Sequence, residues 1–156
     1  MALDPEIRLS LHRIENALQN KLELRDFRHF MLAKSYLEEG QIHTAMQFLK
    51  RIDKYAPSNA QRAITQSLFI RALILIYNLQ FTDALALLIR IRRMELEKDD
   101  KMMSDIQEII RDIKIQQHAS TIYNTVEGRE KIEIFRENTV AHLQHYLTSA
   151  KELVRR

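Results

Sequence analysis

Residues recur along this chain at a fixed separation of 39: Ala33 matches Ala72, Tyr36 aligns with Leu75, Ile42 with Phe81, Ala45 with Ala84, Leu49 with Leu88 and Ile52 with Ile91. A repeat of this length is one supersecondary unit that cannot bury its apolar face alone, so neighbouring copies must stack. That constraint narrows the fold to an array of similar units before any single element is considered.

The units are helical. Ile7, Leu11, Ile14 and Leu18 recur at i, i+4, i+7 and i+11, one face of an amphipathic helix that Asp4 and Pro5 are suited to start and that runs to about Asn20. A second periodic segment runs from about Arg25 to Gly40, where glycine can enter the left-handed conformation and close a helix. Ile42, Ala45, Met46, Leu49 and Ile52 predict a third helix that ends near Tyr55, before Pro57. Ser58 and Gln61 fit a capping box for a fourth helix to about Tyr77, apolar all round and so buried on more than one side, with Asn78 as its left-handed closing residue. A fifth helix passes through Phe81, Ala84, Leu88 and Ile91 to Met94, and Met103, Ile106, Ile110 and Ile113 predict a sixth. Only two glycines and two prolines occur in 156 residues, which fits long helices and tight links.

The stretch MLAKSYLEEGQIHTAMQFLKRIDKYAPSN resembles the tetratricopeptide pattern. In that family a small residue (here Ala33) lets two helices approach, an aromatic (Tyr36) packs between them and a glycine (Gly40) makes the turn. A second small residue (Ala45) lies at the crossing, a large apolar residue (Leu49) fills the space toward the next unit, and a proline (Pro57) ends it. The second unit keeps Ala72, Phe81, Ala84 and Leu88 but has Arg71 at a usual leucine position, Leu79 for the turn glycine and Leu96 for the closing proline. The resemblance implies hairpins at about 26–59 and 65–98, stacked as a right-handed superhelix, with flanking helices at 4–20 and 100–117 in a first domain, 1–117.

Beyond residue 117 the pattern changes. Thr121, Ile122, Tyr123, Thr125 and Val126 are strand formers, Gly128 sits among polar residues, and Lys131 to Arg136 alternates charged and apolar side chains. The expectation for 118–156 is a short β-hairpin followed by a closing helix from about Thr139 that carries Leu143, Tyr146, Leu147, Ala150 and Val154.

The resemblance also implies a binding groove on the first helix of each unit. On this chain those positions are Phe27, Phe30, Lys34, Leu37 and Glu38, then Gln66, Phe69, Leu73, Ile76 and Tyr77. Mostly apolar, they would grip a partner peptide or helix by burying its hydrophobic side chains, unless the chain's own ends fill the groove. The asparagine and lysine set with which some members hold a C-terminal carboxylate is not present, since Lys34 stands at the asparagine position.

Chemistry has little foothold. The chain has no cysteine, no glycine-rich phosphate loop and no acid/base carboxylate motif, so a non-enzymatic role without cofactor or metal is expected. His118, His142 and His145 are the only candidates for a metal or hydrolytic role, and they lack a partner set. Arg90, Arg92 and Arg93, with Lys50, Arg51 and Lys54 one repeat earlier, complement helix C-terminal dipoles, and a nucleic-acid role would need a wider basic face with stacking aromatics. No apolar run is long enough to span a bilayer, and a cytoplasmic location is the expectation. The reading is a cytoplasmic adaptor, chaperone or regulatory subunit that binds a protein or peptide, with self-association and nucleic-acid association as the alternatives.

Overall fold

Mainly helical architecture emerges from the computed structural model, which describes residues 4–118 and 126–155. The elements are α1 (Pro5–Ala17), a 3-10 turn (Leu18–Asn20), α2 (Leu24–Glu38), α3 (Ile42–Leu49), α4 (Ser58–Tyr77), α5 (Phe81–Arg93), α6 (Asp100–His118) and α7 (Val126–Arg155). No strand occurs among the described residues.

The two helix pairs share their turns, though not their helix lengths. α2 pairs with α3 and α4 with α5, each pair joined by a three-residue link. The two links share one geometry: Gly40 has φ +79° and Leu79 has φ +62°. Gln41 N donates to the Tyr36 carbonyl at 2.8 Å and Gln80 N to the Leu75 carbonyl at 2.9 Å, while Gly40 N and Leu79 N donate to Leu37 and Ile76. This is the Schellman arrangement, which satisfies carbonyls that a helix end leaves orphaned. The left-handed residue of the second turn is therefore Leu79 and not Asn78, whose φ is −84°. The position is fixed by the repeat, and an L side chain there is strained by about 1–2 kcal/mol.

A test follows directly. Leu79→Gly is expected to stabilise the fold by about 0.5–1 kcal/mol, because relieved strain outweighs the extra unfolded-chain entropy and a side chain already 40% exposed. Gly40→Ala should cost about 1 kcal/mol through the backbone alone, since a Cβ there meets nothing within 4 Å. Urea unfolding would check both, and loss of stability in Leu79→Gly would contradict the shared-turn geometry.

Two other local expectations change. α3 ends at Leu49, well before Tyr55, because the chain tightens through 3-10-type bonds (Arg51 N to Phe48 O, Ile52 N to Leu49 O) and then turns at Asp53. The Asp53 carboxylate accepts from Tyr55 N at 2.8 Å, the local side-chain bond that competes with helix. The capping box at Ser58 does not form either. Gln61 instead donates to the carbonyls of Lys54 (2.9 Å) and Ala56 (2.7 Å) and accepts from Glu97 N (3.1 Å), tying the α3–α4 link to the α5–α6 link.

α4 is the axis of the molecule, with fourteen of its twenty residues buried. It packs against α5, α1 and, most extensively, α7. α7 runs antiparallel to it: Asn59 Nδ2 reaches the Leu153 carbonyl at 3.4 Å, and Arg136 Nε reaches the Tyr77 carbonyl at 3.0 Å. The expected β-hairpin is corrected here. Its second arm, Lys131 to Arg136, its turn at Gly128 and the last residue of its first arm, Val126, lie inside α7, while 121–125 of the first arm lie outside the described residues. Short-range alternation of charged and apolar residues masked a longer helical seam: Gly128, Thr139, Leu143, Tyr146, Ala150 and Leu153 are buried, with Phe135 packed against the core. Burial of that seam on α4 outweighs the strand preference of isolated residues.

The alanines of the repeat, Ala33, Ala45, Ala72 and Ala84, are all fully buried within the paired helices. α1 lies against α4 and α7, and its apolar face carries one anomaly, a fully buried Glu15. Arg71 of α4 answers it with two bonds, 2.7 Å from Nη2 and 3.3 Å from Nε, and also reaches Glu38 of α2 at 3.5 Å.

Candidate functional site

The residues expected to line a groove on the first helices divide between α4 and α2. On α4, Phe69, Leu73 and Ile76 are fully buried and Tyr77 nearly so. Phe69 meets Tyr146 of α7 edge-on at 4.7 Å between ring centroids, and the Arg136 guanidinium lies 5.0 Å from the Tyr77 ring. Leu73 and Ile76 share the Phe69 face by helical spacing. That face is core, covered by the chain's own last helix. On α2, Phe30 is fully buried, Phe27 and Leu37 are half-buried against the core, and Lys34 is half-buried. What stays open near them is a cleft of about 490 Å³ at the hairpin turns, where Leu37 and Glu38 meet Arg8 and His12 of α1 and Arg71 of α4.

A larger groove, about 970 Å³, opens between α3 and α5, the second helices of the two hairpins. Met46, Leu49 and Ile52, themselves nearly fully buried, form its floor, and the apolar surface it exposes comes mainly from the half-buried Ala86, Ile89 and Met94. His43, Lys50 and Lys54 stand along the α3 side, and Arg90, Arg93 and Glu95 along the α5 side. Arg90 Nη1 bridges the two walls, 3.2 Å from His43 Nδ1. Lys54 and Arg93 stand 39 residues apart, but Lys50 matches Ile89 and Arg90 matches Arg51, which is outside the lining, so the repeat alone does not set the arrangement. Read along the chain, these charges complement helix ends; in three dimensions four of them converge on one groove. Periodicity within one helix could not reveal that convergence, which depends on α3 and α5 lying side by side.

Groups that could do chemistry converge at one other place. Asp105 of α6 accepts from Tyr146 Oη at 2.5 Å and from Lys101 Nζ at 2.9 Å, with His142 Nδ1 at 3.9 Å. Burial alone would raise the Asp105 carboxyl, but the hydrogen bonds from Tyr146 and Lys101 and the charges of Lys101 and His142 together hold it below the usual range. Burial first, then the Asp105 bond and charge, push the Tyr146 phenol far up. The phenol is sealed in the core, so no substrate can reach it, and the constellation ties α6 to α7. His145 packs edge-on to Tyr146, and among the described residues no three histidine or acidic side chains converge as a metal would need. The side chain of His118 lies outside the described residues.

The Asp105 site predicts a pH dependence. A carboxyl held below its unfolded pKa contributes stability above that value and loses it as pH falls through the folded pKa. Tyr146→Phe should therefore cost about 1–3 kcal/mol at neutral pH, and the gap should close below about pH 4 as Asp105 protonates. Urea unfolding across that range checks it, and a gap independent of pH would mean that the phenol contributes packing alone.

No described helix is long and apolar enough to cross a membrane. The chain matches no family model, no curated protein and no solved structure.

Proposed function

We propose that this protein is a non-enzymatic interaction module, an adaptor, chaperone or regulatory subunit, that docks a segment of a partner protein in the groove between α3 and α5. The observation that carries the reading is the open, apolar-floored groove of about 970 Å³, set against an α4 face that α7 already covers. The tetratricopeptide-like pattern of the two hairpins supports the class of function, and the position of the groove moves the docking surface from the first helices to the second. A groove of this size accommodates a short segment, so binding in the micromolar range, or within a larger assembly, is the expectation.

Self-association is a second reading, favoured by Val126 and Ile134, which are exposed on α7 near the exposed Glu130 and Glu133. A concentration-independent monomer in sedimentation would remove it.

A photo-crosslinking residue at Gln47, on the groove, and at Glu108, exposed on α6, separates docking from background. The groove position should trap discrete partners in the source cell that the α6 position does not. Identical products from both positions would refute the docking surface.

A further inference from the structure

The groove between α3 and α5 carries a concentration of positive charge. It takes four of the 24 lysines and arginines (Lys50, Lys54, Arg90 and Arg93) and one of the 21 acidic residues (Glu95). These five side chains give the lining a formal charge of +3. The C-terminal dipoles of α5 and α3 each favour a cation beside them, at Arg93 and at Lys50, but they do not account for Lys54, which lies beyond the end of α3 and lines the same groove as Arg90 and Arg93.

We infer that the docking segment is an acidic amphipathic helix of about three turns, its apolar face on the groove floor and its glutamates or aspartates between the two basic walls. The length follows from α5, whose thirteen residues make a wall about 20 Å long. An acidic ligand fits better than a nucleic acid because no phenylalanine, tyrosine or tryptophan lines the groove to stack on bases, its one ring, His43, is tied to Arg90 at 3.2 Å, and the floor is apolar. Tyr55, the one exposed large aromatic among the described residues, is outside the lining and lies beneath Lys54. The inference rests on the proposed docking role and adds the chemistry of the guest.

The test uses the purified full chain and three synthetic helical peptides of about twelve residues that share one leucine and isoleucine face and differ only in glutamate, glutamine or lysine at the flanks. Fluorescence anisotropy should show the glutamate peptide binding at least about tenfold more tightly than the glutamine peptide at about 50 mM salt, and the advantage should shrink at about 500 mM. Lys50→Glu with Arg93→Glu, two exposed positions, should abolish the preference or reverse it toward the lysine peptide while the thermal melt is retained. If the double variant melts early, Lys50→Gln with Arg93→Gln replaces it and should reduce the preference to less than about threefold. Equal binding of the glutamate and glutamine peptides would overturn the acidic partner and leave the groove standing. No binding by any peptide would overturn both. Tighter binding of a single-stranded oligonucleotide than of the glutamate peptide would also overturn the inference.

Discussion

Replacing Arg71 with leucine is expected to destabilise the fold by about 3–5 kcal/mol, although it adds an apolar side chain to a helix with fourteen of its twenty residues buried. The reason is Glu15, fully buried on α1, whose carboxylate takes two bonds from the Arg71 guanidinium. Leucine would leave that charge buried without its partner, a penalty larger than any packing gain. Glu38 could not substitute, being itself an acid that Arg71 reaches at 3.5 Å. Changing both members, Glu15→Leu with Arg71→Leu, should restore most of the loss, because an ion pair exchanged for apolar side chains of similar size is often neutral or stabilising. Denaturant unfolding of the two single variants and the double variant closes the cycle. A stabilised Arg71→Leu would mean that Glu15 is not held as described.

Phe69→Ala carries an effect of the same size for a different reason. The ring is fully buried at the α4–α7 contact, edge-on to Tyr146, and its removal should cost about 3–5 kcal/mol through lost transfer energy and the cavity left behind. Leu32→Ala, at a side chain 45% exposed on α2, should stay within about 0.5 kcal/mol. The comparison matters for function, because a loss of partners in Phe69→Ala would report unfolding and not a missing contact. Groove variants at Lys50 and Arg93, both exposed, separate the two effects. If Phe69→Ala keeps full stability, the α4 face is open and the assignment of that face to the core fails.

What the sequence made legible was local and periodic. The apolar circumference of α4 anticipated a helix buried on several sides, whereas the shared turn was not anticipated, since Leu79 stood as a departure from the turn glycine and Asn78 as the closing residue. The turn itself tracked the repeat more faithfully than residue preference did, which is why Leu79 and not Asn78 has positive φ. Three features were hidden because they depend on partners distant in the chain. Glu15 looked like one more polar residue between Ile14 and Asn16, and only Arg71, 56 positions on, makes its burial tolerable. The segment around Lys131 to Arg136 reads as a strand over six residues and as a helix only when the seam is followed to Leu153. The candidate groove needed α3 and α5 to lie side by side before Lys50, Lys54, Arg90 and Arg93 could be seen as one cluster.

α7 is part of the core, and the proposed guest would therefore use the α3–α5 groove and not the Phe69 face. Native-state hydrogen exchange tests this most directly, by comparing amides of α7 between Leu143 and Leu153 with those of α4 between Ile64 and Ile76. The account predicts that both sets exchange with the free energy of global unfolding. Exchange of α7 through an opening several kcal/mol below that of α4 would contradict it, because a helix that lifts so readily would hand the Phe69 face back to a guest.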